Sequence, residues 1–414
     1  MRRSTLLRWL GVAVVLTLAA AACDSDGDSS ETSSNEPPPE LTGDPITVVQ
    51  IATYEPPAGS TGGSPEAEVG AQAAAKAIND AGGVNGSPIE VIGCDEKQDP
   101  NETAACARMA ADEGAVAVVG AFTTFDVNYM PVLAEAGIPS VGNFAIGFED
   151  FANEYSFPIT GGAPSGIAGQ AAILADEAGA EKIDAVFLEI EAGEIAVDFA
   201  DAALEPRGLA VDNRIPWPPG TTDPAPIVAA AESNDPDGIV IALAQGDASR
   251  YIEGSFLGGS DTALGINGAS LTQDDIEQLG DASNGLYFAG TYLPSTSDDP
   301  AVQDFNHDMD AIDENVAKND VSMNSYASVK LVAQVAEGIT GPVTAASLFG
   351  ALNGTGEVDL GLVAPFSYQE PDNTLFPGVI TRIFNPDVMY MRVEDGEITP
   401  ITGDWVNPTT PPSG

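Results

Sequence analysis

Short apolar runs alternate along the chain with segments rich in alanine and polar residues. Runs such as Ile46–Ala52, Ala115–Val119 and Ile183–Leu188 are predominantly apolar, and each is followed by a segment that is predicted to be helical. Nearly continuous apolar runs are typical of strands in a parallel sheet that is covered on both faces, because neither face of such a strand meets water. Their alternation with helices predicts an α/β fold.

The alternation stops once and then begins again. It runs from residue 46 to about residue 142, pauses at the extended segment Phe157–Thr160, and resumes at Ile183 to continue as far as Gly290. A restart of this kind predicts a second doubly wound lobe. A chain of 414 residues is also too long for one ordinary domain. We therefore predict an α/β fold with two doubly wound parallel-sheet lobes.

The N-terminus carries an export signal. Three arginines among the first eight residues precede the apolar core Leu10–Leu18, which is too short for a stable membrane span. Residues 1–22 are therefore interpreted as a signal peptide. Cys23 follows four alanines, which is typical of a bacterial lipobox, in which the cysteine becomes the lipidated N-terminus. The alternative is plain cleavage with release, since Ala20 stands where leucine is usual.

Residues 23–45 contain almost nothing apolar after the cysteine. Such a segment cannot bury enough surface to offset its ordering entropy, so we predict a disordered acidic tether. Asp24, Asp26 and Asp28 lack the spacing of an EF-hand loop and are interpreted as a solvated charge run. The whole chain has 14 Lys and Arg against 63 Asp and Glu, a net charge of −49. Such a surface repels nucleic acid, which we exclude as a partner.

Two cysteines remain besides the candidate anchor. Cys94 ends a predicted strand, and Cys106 lies in the following predicted helix, with 11 residues between them. In an exported protein such a pair indicates a disulfide, and the alternative is two buried thiols. A zinc site is poorly supported, because the sole histidine, His307, lies far away in sequence.

No enzyme motif stands out. With one histidine, His-dependent triads and multi-histidine metal sites are nearly excluded. The sequence contains no G-x-S-x-G, no P-loop and no H-E-x-x-H, and its many carboxylates remove any signal from a carboxylate pair. His307 is interpreted as a solvated residue of a surface helix. We expect no catalytic residues, no metal and no cofactor.

The block from Val69 to Val141 resembles the first lobe of the leucine/isoleucine/valine-binding family, the extracytoplasmic receptors of ABC importers. The resemblance rests on the phrase AINDAGGVNGSPIEVI, followed by DP, VVG and AGIPSV, and it extends more weakly to about residue 400. It implies the type I periplasmic binding protein fold, in which the chain crosses a hinge three times between the lobes.

The resemblance also implies how the chain divides. The tail contains two β-rich segments without intervening helices, Val379–Phe384 and Val388–Val393, which would finish on the second lobe. The implied first lobe is 46–160 plus 291–366, and the implied second lobe is 161–290 plus 367–414.

Two loops of the first lobe hold the ligand carboxylate in the family, through hydroxyls and backbone N–H groups. In the first loop, Thr123 and Thr124 match the family's Ser/Thr cluster, and the alternative is that they only cap the following helix. In the second loop, Ala145 and Ile146 fall where the family offers backbone groups, but Ile146 lacks the hydroxyl that is usual there. Tyr54 is a further candidate, because its loop opens at the carboxyl end of the first strand.

The second lobe departs from the family's pattern. Glu191 and Gln245 lie near the positions of two aromatic residues in the members that bind amino acids. Asn267 falls at the acidic residue that pairs with the α-ammonium group. A neutral amide cannot replace that charge, since charge-assisted hydrogen bonds are about twice as strong as neutral ones. Either Glu191 or Asp247 takes this role, or the ligand is not an α-amino acid.

We therefore expect an extracytoplasmic substrate-binding protein of an ABC transporter. It would be a monomer, anchored by lipid to the outer face of the cell membrane, that closes around a small solute. The expected solute is a branched-chain or hydrophobic amino acid, or a related small carboxylate or amide. The expected protein partners are the permease, contacted directly, and the ATPase subunits. The alternative is a ligand-sensing receptor of the same fold that is not coupled to transport.

Overall fold

A computed structural model describes residues 41–57, 63–372, 374–375 and 379–412, and for Glu191 it describes the backbone alone. The predicted signal peptide, Cys23 and most of the predicted tether lie outside these residues. Within the described ranges, no helix combines the length and the apolarity that a membrane span requires.

The first sheet has five parallel strands in the order β2-β1-β3-β4-β5. Helices connect its strands and pack on both of its faces. In chain order the elements are β1 (Ile46–Ala52), α1 (Glu66–Asp80), β2 (Ile89–Asp95), α2 (Pro100–Asp112), β3 (Ala117–Phe122), α3 (Asp126–Ala136), β4 (Ser140–Val141), α4 (Phe148–Ala152) and β5 (Ser156–Phe157).

The second sheet repeats this topology. Its five parallel strands stand in the order β7-β6-β8-β9-β10, so in both sheets the second strand of the series lies outside the first. In chain order the elements are α5 (Gly162–Asp176), β6 (Ile183–Leu188), α6 (Glu191–Leu204), β7 (Val211–Trp217), α7 (Ala225–Glu232), β8 (Gly238–Ala242), α8 (Gln245–Gly258), β9 (Ala263–Asn267), α9 (Gln273–Leu279) and β10 (Tyr287–Gly290).

The remaining elements return to the first sheet and then to the second. Three helices and a two-stranded sheet join the core of the first sheet, and two antiparallel strands extend the second sheet beyond β10. They are α10 (Pro300–Asp310), α11 (Asp320–Glu337), α12 (Ala345–Gly354), β11 (Glu357–Val358), β12 (Phe366–Ser367), β13 (Val388–Glu394) and β14 (Glu397–Val406).

Both sheets are buried on both faces. In β1, Val48 packs with α1 and α11, whereas Val49 and Ile51 pack on the opposite face with α2 and α3. In β6, Phe187 packs with α5 and α6, whereas Val186 packs with the core of α7 and α8. Successive side chains of a strand point to opposite faces, so burial of both faces accounts for the nearly continuous apolar runs in the sequence.

The predicted fold class is confirmed, with two doubly wound lobes. We use "first lobe" and "second lobe" for each sheet with the helices that pack on it. The chain passes between the lobes three times, after Phe157, after Gly290 and after Ser367.

One β-rich segment of the tail does not form a strand. Val388–Glu394 is strand β13, as predicted, but Val379–Phe384 lies outside any strand. The backbone N–H groups of Thr381 and Arg382 both donate to the carbonyl of Phe151, each at 3.0 Å. Because these donors are used on a helix of the first lobe, the segment cannot pair with the second sheet there.

The predicted disulfide is present. Cys94 in the edge strand β2 and Cys106 in α2 are joined, with their Cα atoms 5.7 Å apart. This separation lies within the range that a disulfide spans without backbone movement. The bond therefore ties the edge of the first sheet to a helix on its face.

Removing this disulfide should destabilise the protein. For a loop of this length, the double variant Cys94→Ala/Cys106→Ala should lose roughly 3 kcal/mol of unfolding free energy, because the unfolded chain regains loop entropy. Urea unfolding of the two mature proteins measures the difference. Mass spectrometry of non-reduced peptides provides the covalent check, and two free thiols in exported protein would contradict the pairing.

Candidate functional site

The carboxyl ends of parallel strands from both sheets face a common cavity. The loops after β3 and β4 line it from the first lobe, and the loops after β6, β8 and β9 line it from the second lobe. The cavity has a volume of about 510 Å³. Open α/β sheets place ligands at this edge, where loops diverge on either side of the point at which the strand order reverses.

Two glycines let the strands of the first lobe turn toward the cavity. Gly120 has a φ of +57° and Gly142 a φ of +65°, and residues with a Cβ rarely adopt such angles. A Cβ at either position would also clash with Ser325 or Ser328 of α11. Helix α11 instead holds the strand ends, because Asn324 Nδ2 donates to the Gly142 carbonyl at 2.6 Å and Ser325 Oγ to the Gly120 carbonyl at 3.3 Å.

The cavity wall is mostly apolar. The rings of Phe151 in α4 and Phe199 in α6 meet edge to face between the lobes, with centroids 6.4 Å apart. Phenylalanines and large aliphatic residues dominate the wall, which includes Phe122, Phe144, Ile146, Phe148, Phe151, Ile167, Leu188, Ile190, Ile195, Phe199 and Leu243.

Three polar side chains also line the wall, Thr124 from the first lobe and Asn267 and Ser270 from the second. Asn267 Oδ1 accepts a hydrogen bond from the backbone N–H of Ala269 at 3.0 Å. Its Nδ2 has no partner among the described residues, and neither have the hydroxyls of Thr124 and Ser270. Within the described part of the chain, no charged side chain lines the cavity.

Thr123 lies behind this wall. Its hydroxyl donates to Glu96 Oε2 at 3.3 Å and accepts the backbone N–H two residues later at 3.1 Å. Buried Glu96 also accepts hydrogen bonds from the hydroxyls of Thr53 and Thr103. The Glu96 carboxylate thus accepts hydrogen bonds from three threonines and holds the loop after β3 from inside the protein. Thr124, in contrast, lines the cavity.

The N–H groups of the loop after β4 are held by Asp150. The backbone N–H groups of Ile146 and Gly147 donate to Asp150 Oδ2 at 3.1 and 3.3 Å. The Tyr129 hydroxyl and Asn143 Nδ2 donate to its Oδ1 at 2.6 and 3.1 Å. The side chain of Ile146 lines the cavity, but its N–H group is directed at this internal carboxylate.

Other predicted site residues lie outside the cavity wall. Ala145 is buried behind the loop, and its carbonyl accepts a hydrogen bond from the first turn of α5 at 2.9 Å. The Tyr54 hydroxyl donates to Gln50 Oε1 at 2.6 Å, within the first sheet. Gln245 Nε2 donates to Asp275 Oδ2 at 2.8 Å.

The two acidic residues considered for an ammonium group differ in what the structure describes. Asp247 does not line the wall and pairs with Arg250, three residues along α8. Glu191 is the first residue of α6, and its backbone lies between Ile190 and Ala192, which both line the cavity.

Sequence reasoning missed Ser270 and the phenylalanines. Ser270 lies in the loop after β9, where its backbone N–H donates to the Asn267 carbonyl at 3.1 Å. Phe122 is the last residue of β3, Phe144 lies in the loop after β4, and Phe148 is the first residue of α4. Large apolar residues in loops at a binding edge are the signal that could have found them.

Asp150 titrates far from its ordinary range. Burial raises its pKa to about 7, the hydrogen bond from Tyr129 lowers it, and the charge of nearby Asp126 raises it again. Burial also raises the pKa of Asp126, which accepts the backbone N–H of Glu149 at 2.7 Å. Two carboxyl groups therefore stand close together directly behind the loops of the first lobe.

A larger cavity, of about 790 Å³, lies at the opposite, amino end of the second sheet. Its wall is predominantly polar, and none of the loops that follow the parallel strands contributes to it. Among the described residues, no cluster of His, Cys, Asp and Glu could hold a metal ion. The apolar cavity between the lobes is therefore the better candidate for a ligand site.

Two α/β lobes with an apolar cavity between the carboxyl ends of their strands define a two-lobed solute-binding protein. The chain belongs to the periplasmic binding protein family, whose sequence model matches residues 45–380. Members of this family act outside the cytoplasm, bind small-molecule solutes and work with ABC transporter components. A search of curated proteins found no matching sequence.

Solved structures share the fold at low sequence identity. A possible leucine/isoleucine/valine-binding protein from Rhodopirellula baltica SH 1 is 18% identical, covers 87% of this chain and 97% of its own, and has a TM-score of 0.72. The branched-chain amino acid transporter substrate binding protein from Streptococcus pneumoniae, solved with isoleucine, is 19% identical, with coverages of 87% and 99% and a TM-score of 0.70. A solute binding protein from R. palustris, solved with 4-hydroxybenzoate, is 21% identical, with coverages of 87% and 97% and a TM-score of 0.72. The resemblance found in the sequence is confirmed.

Removing the charge of Asp126 should lower the pKa of Asp150 from about 7, because one of the groups that raise it is gone. The variant Asp126→Asn keeps an oxygen to accept the Glu149 N–H. Carboxyl-carbon NMR titration of Asp150 in both proteins measures the shift. An unchanged or higher pKa in the variant would contradict the coupling.

The same shift has a consequence for stability. Between about pH 4 and pH 7, folded Asp150 keeps a proton that an unfolded aspartate has lost, so this group makes stability fall as the pH rises through that window. In Asp126→Asn the fall should be smaller. Urea unfolding at pH 5 and at pH 7.5 tests the difference between the two proteins.

Proposed function

We propose that this protein is the solute receptor of an ABC importer and binds a small, predominantly apolar solute between its lobes. The apolar cavity at the carboxyl ends of both sets of strands carries the proposal. Its volume of about 510 Å³ lies in the range of small-molecule sites, and an apolar wall with a few polar groups is their usual composition. The solute is a branched-chain or hydrophobic amino acid or a related small carboxylate or amide.

The rim of the cavity supports closure of the lobes around the solute. Phe148 from the first lobe is 56% exposed, and Ile190 and Ile195 from the second lobe are 47% and 45% exposed. Val379, on the segment that makes the third crossing, is 51% exposed. Burying such side chains against a solute or against one another gains about 25 cal/mol per Å² of apolar surface, which favours the closed state.

The proposed lobes are residues 46–160 plus 291–366 and residues 161–290 plus 367–414. They would move about the three crossings, where small changes in backbone angle suffice for hinge closure. The closed form would contact the permease directly, and the ATPase subunits would drive transport. Cys23 would carry a lipid that holds the receptor at the outer face of the cell membrane, with residues 24–45 as the tether.

A thermal-shift screen tests the receptor function. Amino acids, small carboxylates, amides and aromatic acids are added to the mature protein, and a bound solute at 100 times its Kd should add about 2.7 kcal/mol of stability. Thr124→Ala should then weaken binding of the best solute about two- to tenfold, the effect of one neutral hydrogen bond. Thr340→Ala is the matched control, because Thr340 is exposed in the loop after α11.

The possible outcomes distinguish an error in the location of the site from an error in the receptor function. Equal loss of affinity in both threonine variants, or no loss in either, would place the solute elsewhere. A screen in which no class of solute stabilises the protein would contradict the receptor function.

Substitution of Cys23 tests the anchor. Cys23→Ser should release the protein from the membrane or leave its signal peptide uncut, since the serine cannot form a thioether to lipid. Fractionation of cells and N-terminal sequencing of the product measure both effects. A variant that stays membrane-bound and is processed at the same residue would contradict lipidation.

A further inference from the structure

The polar groups of the cavity differ from those that a charged solute requires. Thr124 and Ser270 offer hydroxyls, Asn267 offers its Nδ2, and these groups have no partner among the described residues. An amide nitrogen can only donate a hydrogen bond, and hydroxyls can donate or accept. The set is therefore neutral, and it is weighted toward donors that suit a hydrogen-bond acceptor on the solute.

The place that a solute carboxylate would take is filled by the protein. Ile146 and Gly147 line the cavity, but both of their N–H groups donate to Asp150. Asp126 lies near Asp150 and accepts the backbone N–H of Glu149 in the first turn of α4. An anion entering this end of the cavity would meet two acidic side chains behind the loop instead of free N–H groups.

A solute ammonium group also lacks a partner in the described wall. The unpartnered atom of Asn267 is its nitrogen, which cannot accept from an ammonium group, whereas its oxygen is used by the Ala269 N–H. Asp247 is already paired with Arg250. The described wall contains no charged side chain of either sign. Moving a charge from water into such a wall without a partner is costly, whereas a neutral polar group needs only its hydrogen bonds.

We propose that the solute is uncharged and consists of an apolar body, aliphatic or aromatic, with a hydrogen-bond-accepting head such as a ketone or an amide. The head meets Asn267 Nδ2 and the hydroxyls of Thr124 and Ser270, and the body packs among the phenylalanines. This inference rests on the proposed receptor function. Of the solute classes proposed above it keeps the amides, adds neutral ketones, and leaves out amino acids and carboxylates.

Four probes of nearly equal size test the charge of the head. They are 4-phenylbutan-2-one, 3-phenylpropanamide, 3-phenylpropanoate and phenylalanine, which present a neutral acceptor, a neutral amide, an anion and a zwitterion. Calorimetry and thermal shift on the mature protein at pH 7.5 measure the affinities. The ketone and the amide should bind at least about tenfold more tightly than the two charged probes, because the neutral probes bind without burying a charge. Tighter binding of 3-phenylpropanoate or of phenylalanine would overturn the proposal.

Variants of Asn267 test the donor. Asn267→Asp should weaken binding of the ketone by about tenfold or more, because it replaces a hydrogen-bond donor by a negatively charged acceptor. Asn267→Ala should weaken binding of the ketone less. Asn315→Asp, at an exposed loop position, controls for the added charge. Unchanged ketone affinity in Asn267→Asp would overturn the contact.

Glu191 needs a separate test as a partner for an ammonium group, because the structure describes the backbone of this residue alone. If phenylalanine bound the wild type more tightly than the neutral probes and lost this advantage in Glu191→Gln, an ammonium site would be present and the proposal would be wrong. Failure of the proposed function has a different signature, in which neither these probes nor any member of the wider screen stabilises the protein. Binding of a charged solute alone would overturn the inference and leave the receptor function standing.

Discussion

The loops that leave the ends of parallel strands lose the partners that the sheet supplied. A buried backbone N–H or carbonyl group must then find a partner elsewhere, since leaving it unsatisfied costs as much as a lost hydrogen bond. In the first lobe, Asp150 accepts two backbone N–H groups of the loop after β4, and Asn324 of α11 donates to a backbone carbonyl. Glu96 holds the loop after β3 through the hydroxyl of Thr123. The shape of the cavity depends on these partners, because they fix which backbone groups turn inward and which side chains line the wall.

The use of buried carboxylates for this purpose has an electrostatic cost. Burial raises the pKa of Asp150 to about 7, even though four groups donate hydrogen bonds to it. In the described part of the chain most acidic side chains are in contact with water. The net charge of −49 over the full sequence is screened there and favours solubility. The protein therefore combines a highly charged surface with a cavity wall that holds no charge among its described side chains.

The fold could be predicted from the sequence because its signal is local. Seven of the ten parallel strands have five to seven residues. Apolar runs such as Ile46–Ala52 and Ile183–Leu188 are followed by helices, so their alternation predicted both sheets. Pairing in the tail could not be predicted this way. Val379–Phe384 has the composition of a strand, but the carbonyl of Phe151, far away in sequence, takes the N–H groups that a strand would use.

The cavity residues were only partly predictable, because partners distant in sequence decide which side chains reach it. Thr123 and Thr124 are chemically equal neighbours, and only the presence of Glu96 behind the loop draws the first of them inward. Tyr54 and Gln245 likewise found acceptors within their own lobes. Thr124 and Asn267, which the resemblance singled out, do line the cavity, and their contact with a solute stays a prediction. They reach the cavity because they stand at the ends of strands, which is a property of topology and not of local composition.

Loops whose backbone N–H groups are already hydrogen-bonded within the protein also affect which solutes such a cavity can select. When Asp150 already holds the N–H groups of Ile146 and Gly147, the loop is ordered before any solute arrives, so binding costs little ordering entropy there. The same hydrogen bonds occupy the donors that would stabilise an anion. Binding of anionic competitors is therefore disfavoured, which increases selectivity for a neutral solute. In our proposal, discrimination then falls to Thr124 on the first lobe and to Asn267 and Ser270 on the second. Closure of the lobes would bring these groups to one solute head together, so recognition and closure would become a single event.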